Sequence, residues 1–186
     1  MIRITIYILS IVLANVVTAK FEPLNLGLFI IPYGTLFIGV TLVMRDMVQN
    51  VYGRKRTYGF IVLALIASAL SSYSLGDELW VVFASMLSFA ISETTDTEIY
   101  TRYKLPFVRR VMTSGIVSGF LDSSVFVLVG IGPLGLGFVD WEHVPYAIAG
   151  QWFGKVIMQL IVAGGIRKVV MKLGIYEPNI SDMKKV

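Results

Sequence analysis

The sequence predicts an all-α polytopic membrane protein, a bundle of six transmembrane helices with both termini on the cytoplasmic side. Three observations carry this reading. Of the 186 residues, 56% are hydrophobic and only 15% are charged, against ~45–50% apolar and ~25% charged in a soluble domain. Apolar windows approaching the ~20 residues that cross a hydrocarbon core recur along the chain. The basic residues sort onto alternate connectors. This composition excludes a soluble enzyme, a disordered regulator and a secreted disulfide scaffold. With no cysteine and a single histidine, His143, there is no disulfide, thiolate metal site, cysteine nucleophile or multi-histidine site, and neither a metal nor a cofactor is expected. The net charge of +4 reads as topology rather than as a nucleic-acid surface.

The windows are 4–19, 28–44, 57–73, 79–99, 111–132 and 145–171. The first follows Arg3 and ends at Ala19, which imitates a secretory signal peptide; Asn15 within the run and the charge sorting favour a retained helix. Connectors 45–56 and 100–110 are basic, whereas 20–27, 74–78 and 133–144 are short and acidic or neutral. With six crossings one face collects Arg3, Arg45, Arg54, Lys55, Arg56, Arg102, Lys104, Arg109, Arg110, Arg167, Lys168, Lys172, Lys184 and Lys185, which is 14 of the 16 basic residues. Lys20 stands alone opposite, and Lys155 lies inside the sixth window. The positive-inside rule then places both termini in the cytoplasm, and Trp80 and Trp141 fall at the outer boundary as an aromatic belt. Residues 1–173 are expected to form one transmembrane domain and 174–186 a short cytoplasmic tail. No internal repeat or low-complexity tract divides the chain.

A charge at bilayer depth costs about 2.5–3.5 kcal/mol on insertion scales, so each needs a partner, a wet cavity or a function. Gln151, Lys155 and Gln159 are four apart and form one helical stripe. Ser114, Ser118 and Asp122 form a second, and Ser88, Ser92 and Asp96 a third, with Glu93 nearby. The simplest packing turns these faces toward one cavity. Packing is the expected role of the individual serines and of the Gly115/Gly119 pair. For Asp122 and Lys155 the cost of burial favours a function over a pair that merely locks two helices. Arg45, Asp46, Gln49 and Asn50, taken alone, read as a solvated helix end where snorkelling makes charge cheap.

Several of these residues fall in a wider pattern. Ala14-Asn15 through Lys20, Gly34-Thr35-Leu36-Phe37, Asp46 through Tyr52-Gly53-Arg54-Lys55, Asp96 through Ile99-Tyr100, Leu121-Asp122-Ser123 through Phe126, and Gln151 with Lys155 together resemble, in order, the motifs of the vitamin-uptake-transporter-like family, the queuosine precursor transporters. Arg109 with Thr113-Ser114 resembles a further motif loosely. The chain differs from that pattern at Asn50, where the family has Glu, at Gly39, near an expected Pro, at Arg110, and at Ala163-Gly164-Gly165, where the family has Thr-Pro. The resemblance implies import of a 7-deazaguanine (7-cyano-7-deazaguanine, its aminomethyl form or queuine) across the inner membrane. The expected substrate-binding residues are Asn15, Phe37, Asp46, Asp96, Asp122, Gln151 and Lys155. An Asp carboxylate and a Gln or Asn amide suit the amino-pyrimidinone edge of such a base, and Phe37, Phe126 or Trp152 can stack on its faces.

The expected partners are therefore a small-molecule base and the lipid bilayer, not nucleic acid, with a homo-oligomer left open. Two alternatives stand beside this. A substrate-capture subunit of an energy-coupling-factor importer also has six spans, but the A-x-x-x-A-type docking surface on the first helix is not evident, since Ala14 and Ala19 are five apart. A structural or lysis-type membrane protein has little use for a mid-membrane Asp and Lys. An enzyme is not expected, with no H-E-x-x-H motif. Energy coupling is open, with Asp46, Asp96 and Asp122 as possible proton carriers.

Overall fold

Backbone amides in hydrocarbon have no water to bond, so long apolar stretches satisfy them internally as helices. The computed structural model describes residues 2–21, 24–26 and 29–172. It contains helices α1 (Ile2–Lys20), α2 (Gly34–Ser74), α3 (Leu79–Arg102), α4 (Phe107–Val125) and α5 (Val144–Lys172). The end of α4 continues as a π-helical turn over Phe126–Ile131. Between α1 and α2 a small antiparallel ribbon pairs β1 (Leu24–Leu26) with β2 (Phe29–Ile31), Leu24 opposite Ile31 and Leu26 opposite Phe29. The expected tail, 174–186, lies outside the described residues.

The second and third expected windows are joined in α2, an element of 41 residues. Straight, it would run about 60 Å. At Gly53 the backbone takes φ 76° and ψ 166°, a conformation open essentially to glycine alone, and there the chain turns back. A Cβ on Gly34 would strike Thr18 and Ala14 of α1, while Asn15 of α1 hydrogen-bonds Ser68 and Ser71. Opposite ends of α2 thus meet the same stretch of α1, so α2 is a hairpin with Gly53 at its apex and Arg54, Lys55 and Arg56 just beyond. Tyr52 and Phe60 close it near the apex, edge to face at 5.4 Å. Its first arm starts at Gly34 rather than at the expected residue 28, because Phe29–Ile31 is held in the ribbon and Pro32 supplies no N–H to continue a helix behind it.

Among the described residues, four helices are long and apolar enough to cross a membrane: Arg3–Lys20, Gly34–Ser74, Phe107–Ile131 and Val144–Gly165. In α3 the acidic residues Glu93, Asp96 and Glu98 lower the hydropathy of an otherwise apolar sequence. Burial explains how the chain tolerates them. Glu93 and Asp96 are inside, and among the described residues buried polar and charged side chains outnumber buried apolar ones. Large apolar side chains such as Leu13, Leu63, Phe83, Phe120, Ile157 and Ile161 face outward. That inversion is the pattern of a protein whose surroundings are apolar.

The α2 hairpin packs on α1, α3 and α5, and α4 packs on α3 and α5. Tyr7 and Ile11 of α1 meet Met44, Val48 and Ala64 from the two arms of α2 in one apolar cluster. The first arm of α2 comes close to α5 at Gly39, where a Cβ would lie 2.6 Å from Met158 Cβ and 2.9 Å from the Lys155 carbonyl oxygen. Gly39 therefore brings the first arm of α2 against the turn that carries Lys155.

Candidate functional site

The polar faces converge on a cavity of about 150 Å³ between all five helices. Asn15 enters from α1, Thr35 and Thr41 from the first arm of α2, and Ser68 and Ser72 from the second. Ser88, Ser92 and Glu93 come from α3, Asp122 from α4, and Gln151 and Lys155 from α5. Ile11, Ile38, Leu42, Phe89 and Phe126 supply apolar wall. One end of the cavity reaches Ala19, Pro32 and Asp77 beside the short connectors, where Ser72 hydrogen-bonds Asp77.

At the wall formed by α4 and α5, Lys155 Nζ donates to Asp122 Oδ2 at 2.7 Å and to Ser123 Oγ at 2.8 Å. The lysine side chain is 2% exposed and the aspartate 13%. The ammonium is thus desolvated and held, while the carboxylate keeps some access to the cavity. Gln151, one turn from Lys155, is buried beside them. Asn15, which also lines the cavity, spends its amide N–H groups on Ser68 and Ser71, tying α1 to the second arm of α2.

Further toward the Gly53 end, Arg45 occupies the space between α2 and α3 with no exposure at all. Its Nη1 lies 3.0 Å from Asp46 Oδ1 and its Nε 3.2 Å from Glu93 Oε2, and Nη2 pairs with Asp96. Nη1 also donates to Gln49 Oε1 at 2.9 Å and to Thr97 Oγ1 at 3.3 Å. Gln49 in turn donates to Thr97 O at 3.2 Å and to Thr101 Oγ1 at 2.9 Å. The Tyr7 hydroxyl of α1 donates to Glu93 Oε2 at 3.1 Å. This network bonds three helices across the middle of the bundle.

The expected site residues divide accordingly. Asn15, Asp122, Gln151 and Lys155 line the one cavity. Asp46 and Asp96 do not; both are fully buried partners of Arg45, so the expectation that the polar site residues share one cavity is corrected. Phe37 is also outside the lining. Of the expected stacking residues only Phe126 reaches the cavity, while Trp152 donates to the Ile116 carbonyl at 2.9 Å and packs with Phe120 at 5.6 Å. Nor are Arg45 and Asp46 a solvated helix end, since folding back at Gly53 brings α3 over them. Gln159, on the stripe of Gln151 and Lys155, bonds the Val111 carbonyl at 2.7 Å instead, its amide filling the space a Cβ on Gly115 would need.

Sequence reasoning missed Arg45, Glu93, Tyr7 and Phe89. Arg45 had a detectable signal: Thr41, Arg45 and Gln49 are four apart, and all three are buried. The spacing that marked the other stripes marks this one too. Phe89 had none, being one aromatic among many on an apolar helix.

Fold and site together define a polytopic membrane protein built around an internal polar cavity with a buried ion pair in its wall. The chain belongs to the family described as "Putative vitamin uptake transporter", whose model matches residues 73–166, just over half of its length. This makes the protein a membrane transporter by class. The matched part carries Glu93, Asp96, Asp122, Gln151 and Lys155. No curated protein and no solved structure gives a match.

Proposed function

We propose that the protein imports a free 7-deazaguanine base across the inner membrane: 7-cyano-7-deazaguanine, its aminomethyl form or queuine. The observation that carries this reading is the convergence of Asp122, Lys155 and Gln151 on one small cavity whose wall mixes hydroxyl side chains with apolar ones. A carboxylate accepts two N–H groups of a planar heterocycle at once, and a Gln amide or an ammonium donates to its carbonyl. Phe89 and Phe126 provide apolar surface for its faces. A cavity near 150 Å³ is the size that takes a small aromatic molecule, which favours 7-cyano-7-deazaguanine and its aminomethyl form over the larger queuine or a nucleoside. Lys155 steadies the Asp122 charge in the empty site and leans to the base carbonyl in the filled one.

The same reading places six crossings in the membrane: α1, each arm of the α2 hairpin, α3, α4 with its π-helical turn, and α5. Both termini and the Gly53 apex are then cytoplasmic, with the basic residues. The cavity leads toward the outer face, and the Arg45 network closes it from the cytoplasm. The test is uptake of labelled 7-cyano-7-deazaguanine by cells expressing the protein, with the Asp122→Asn variant and empty vector as controls. Accumulation in the wild type alone supports the reading. Failure to take up any of the three bases, with the protein present in the membrane, would sink it.

A further inference from the structure

We propose that the protein couples each imported substrate to one proton, taken up by the Arg45 cluster through Glu93. The inference rests on the import reading and adds its driving force. Titratable groups from four helices face one another here: Tyr7 of α1, Arg45 and Asp46 of α2, Glu93, Asp96 and Tyr100 of α3, and Arg110 of α4. Arg110 is stacked on the Tyr100 ring at 4.1 Å and donates to Asn50 Oδ1 at 3.3 Å. One guanidinium, that of Arg45, therefore contacts three carboxyls, and the second, that of Arg110, lies near enough to act on the charge of Asp46. The neighbouring Lys155–Asp122 pair is neutral as a pair, with Asp122 the member whose charge acts on Glu93.

With every group ionised, one negative charge is left uncompensated in a dry interior, which is among the most costly arrangements a protein can hold. One bound proton removes the imbalance. A second observation points the same way: Asp46 Oδ2 and Asp96 Oδ1 are fully buried and have no hydrogen-bond donor. Bare carboxylate oxygens are where a proton can sit.

Glu93 is the way in. Of the cluster's carboxyls it alone also lines the cavity, and its 3.2 Å contact with Arg45 Nε leaves both terminal guanidinium nitrogens to Asp46 and Asp96. A proton taken up ahead of the substrate binds a Glu93 carboxylate oxygen as an O–H. The same proton leaves to water when the cluster opens to the cytoplasm, and no electron moves. A base seated in the cavity shields Glu93 from solvent, so proton and substrate bind better together than apart. By linkage each favours the other equally.

The experiment uses the full chain in proteoliposomes with labelled 7-cyano-7-deazaguanine and a pH-sensitive dye in the lumen. Exchange of internal for external substrate needs no driving force and reports transport itself. The wild type should exchange, accumulate substrate several-fold when the outside is made acidic, and acidify the lumen as it does so. Glu93→Gln should keep measurable exchange and lose both gradient-driven accumulation and acidification. Wild-type exchange with no response to the gradient, or a Glu93→Gln variant that still accumulates, would overturn the coupling while leaving the transport reading intact. Absence of exchange would remove the transport reading itself. A substrate-free arm then decides the proton site: the infrared C=O band of a protonated carboxyl should be present at neutral pH in the wild type. It should vanish in Glu93→Gln, where two carboxylates balance two guanidinium groups. No such band in the wild type, or an unchanged one in the variant, refutes the cluster as a proton site.

Discussion

Replacing Asp122 by Asn leaves the Lys155 ammonium inside the bundle with Ser123 Oγ at 2.8 Å and a neutral amide. Unit charges at the 2.7 Å of the native contact attract by about 6 kcal/mol at an effective dielectric of ~20, most of which desolvation offsets. Removing one partner alone costs about 3–5 kcal/mol, because the other charge stays buried. Exposure makes the two single variants unequal. Asp122, at 13% exposure, can draw on water in the cavity after Lys155→Met, whereas Lys155, at 2%, has almost none after Asp122→Asn. Asp122→Asn should therefore lose the full amount and Lys155→Met less. The double variant should be more stable than the sum of the singles implies, by at least ~2 kcal/mol. Unfolding of the four proteins in detergent measures this coupling. Additive losses, or single losses below about 1 kcal/mol, would refute a coupled buried pair. Uptake separates structure from recognition, since the double variant recovers stability but lacks the acceptor for the base N–H groups and should still not transport.

Cysteines placed singly at Lys55 and Glu78 should label from opposite sides of the membrane; labelling from the same side removes the α2 hairpin as a pair of crossings. Gly53→Ala forces a side chain into a φ of 76° and should cost about 1–3 kcal/mol, whereas Gly59→Ala, with nothing within 4 Å of its Cβ, should be neutral or stabilising by thermal unfolding. Gly39→Ala should be destabilising by about 1–3 kcal/mol and impair uptake, because it pushes on Met158 and the Lys155 carbonyl; normal stability and uptake would show that α2 does not seat α5. Ser118→Ala should change stability by less than ~1 kcal/mol and leave uptake near wild type, because the buried Ser118 hydroxyl has no hydrogen-bond partner.

How far the sequence reaches depends on whether a property is local. The helical segments were legible because apolar windows of membrane length are set by the residues within them. The stripes of Ser88, Ser92, Ser114, Ser118, Gln151 and Lys155 were legible because a period of 3.6 residues fixes which side chains share a face, and all six are buried. The ribbon pairing Leu24–Leu26 with Phe29–Ile31 was not, since strand pairing depends on a second segment and three-residue runs carry no period of their own.

What the sequence by itself determined is the class of the protein, its helical segments, the buried polar faces and the four residues Asn15, Asp122, Gln151 and Lys155 that line one cavity. Only the tertiary structure decided that Asp46 and Asp96 belong with Arg45 and Glu93 in a buried network that reaches the cavity through Glu93. The physical reason is the reversal at Gly53. Helical periodicity says which face a residue lies on but not what covers that face. Arg45 and Asp46, which lie only a few residues before a basic turn, look solvated until the hairpin and α3 enclose them.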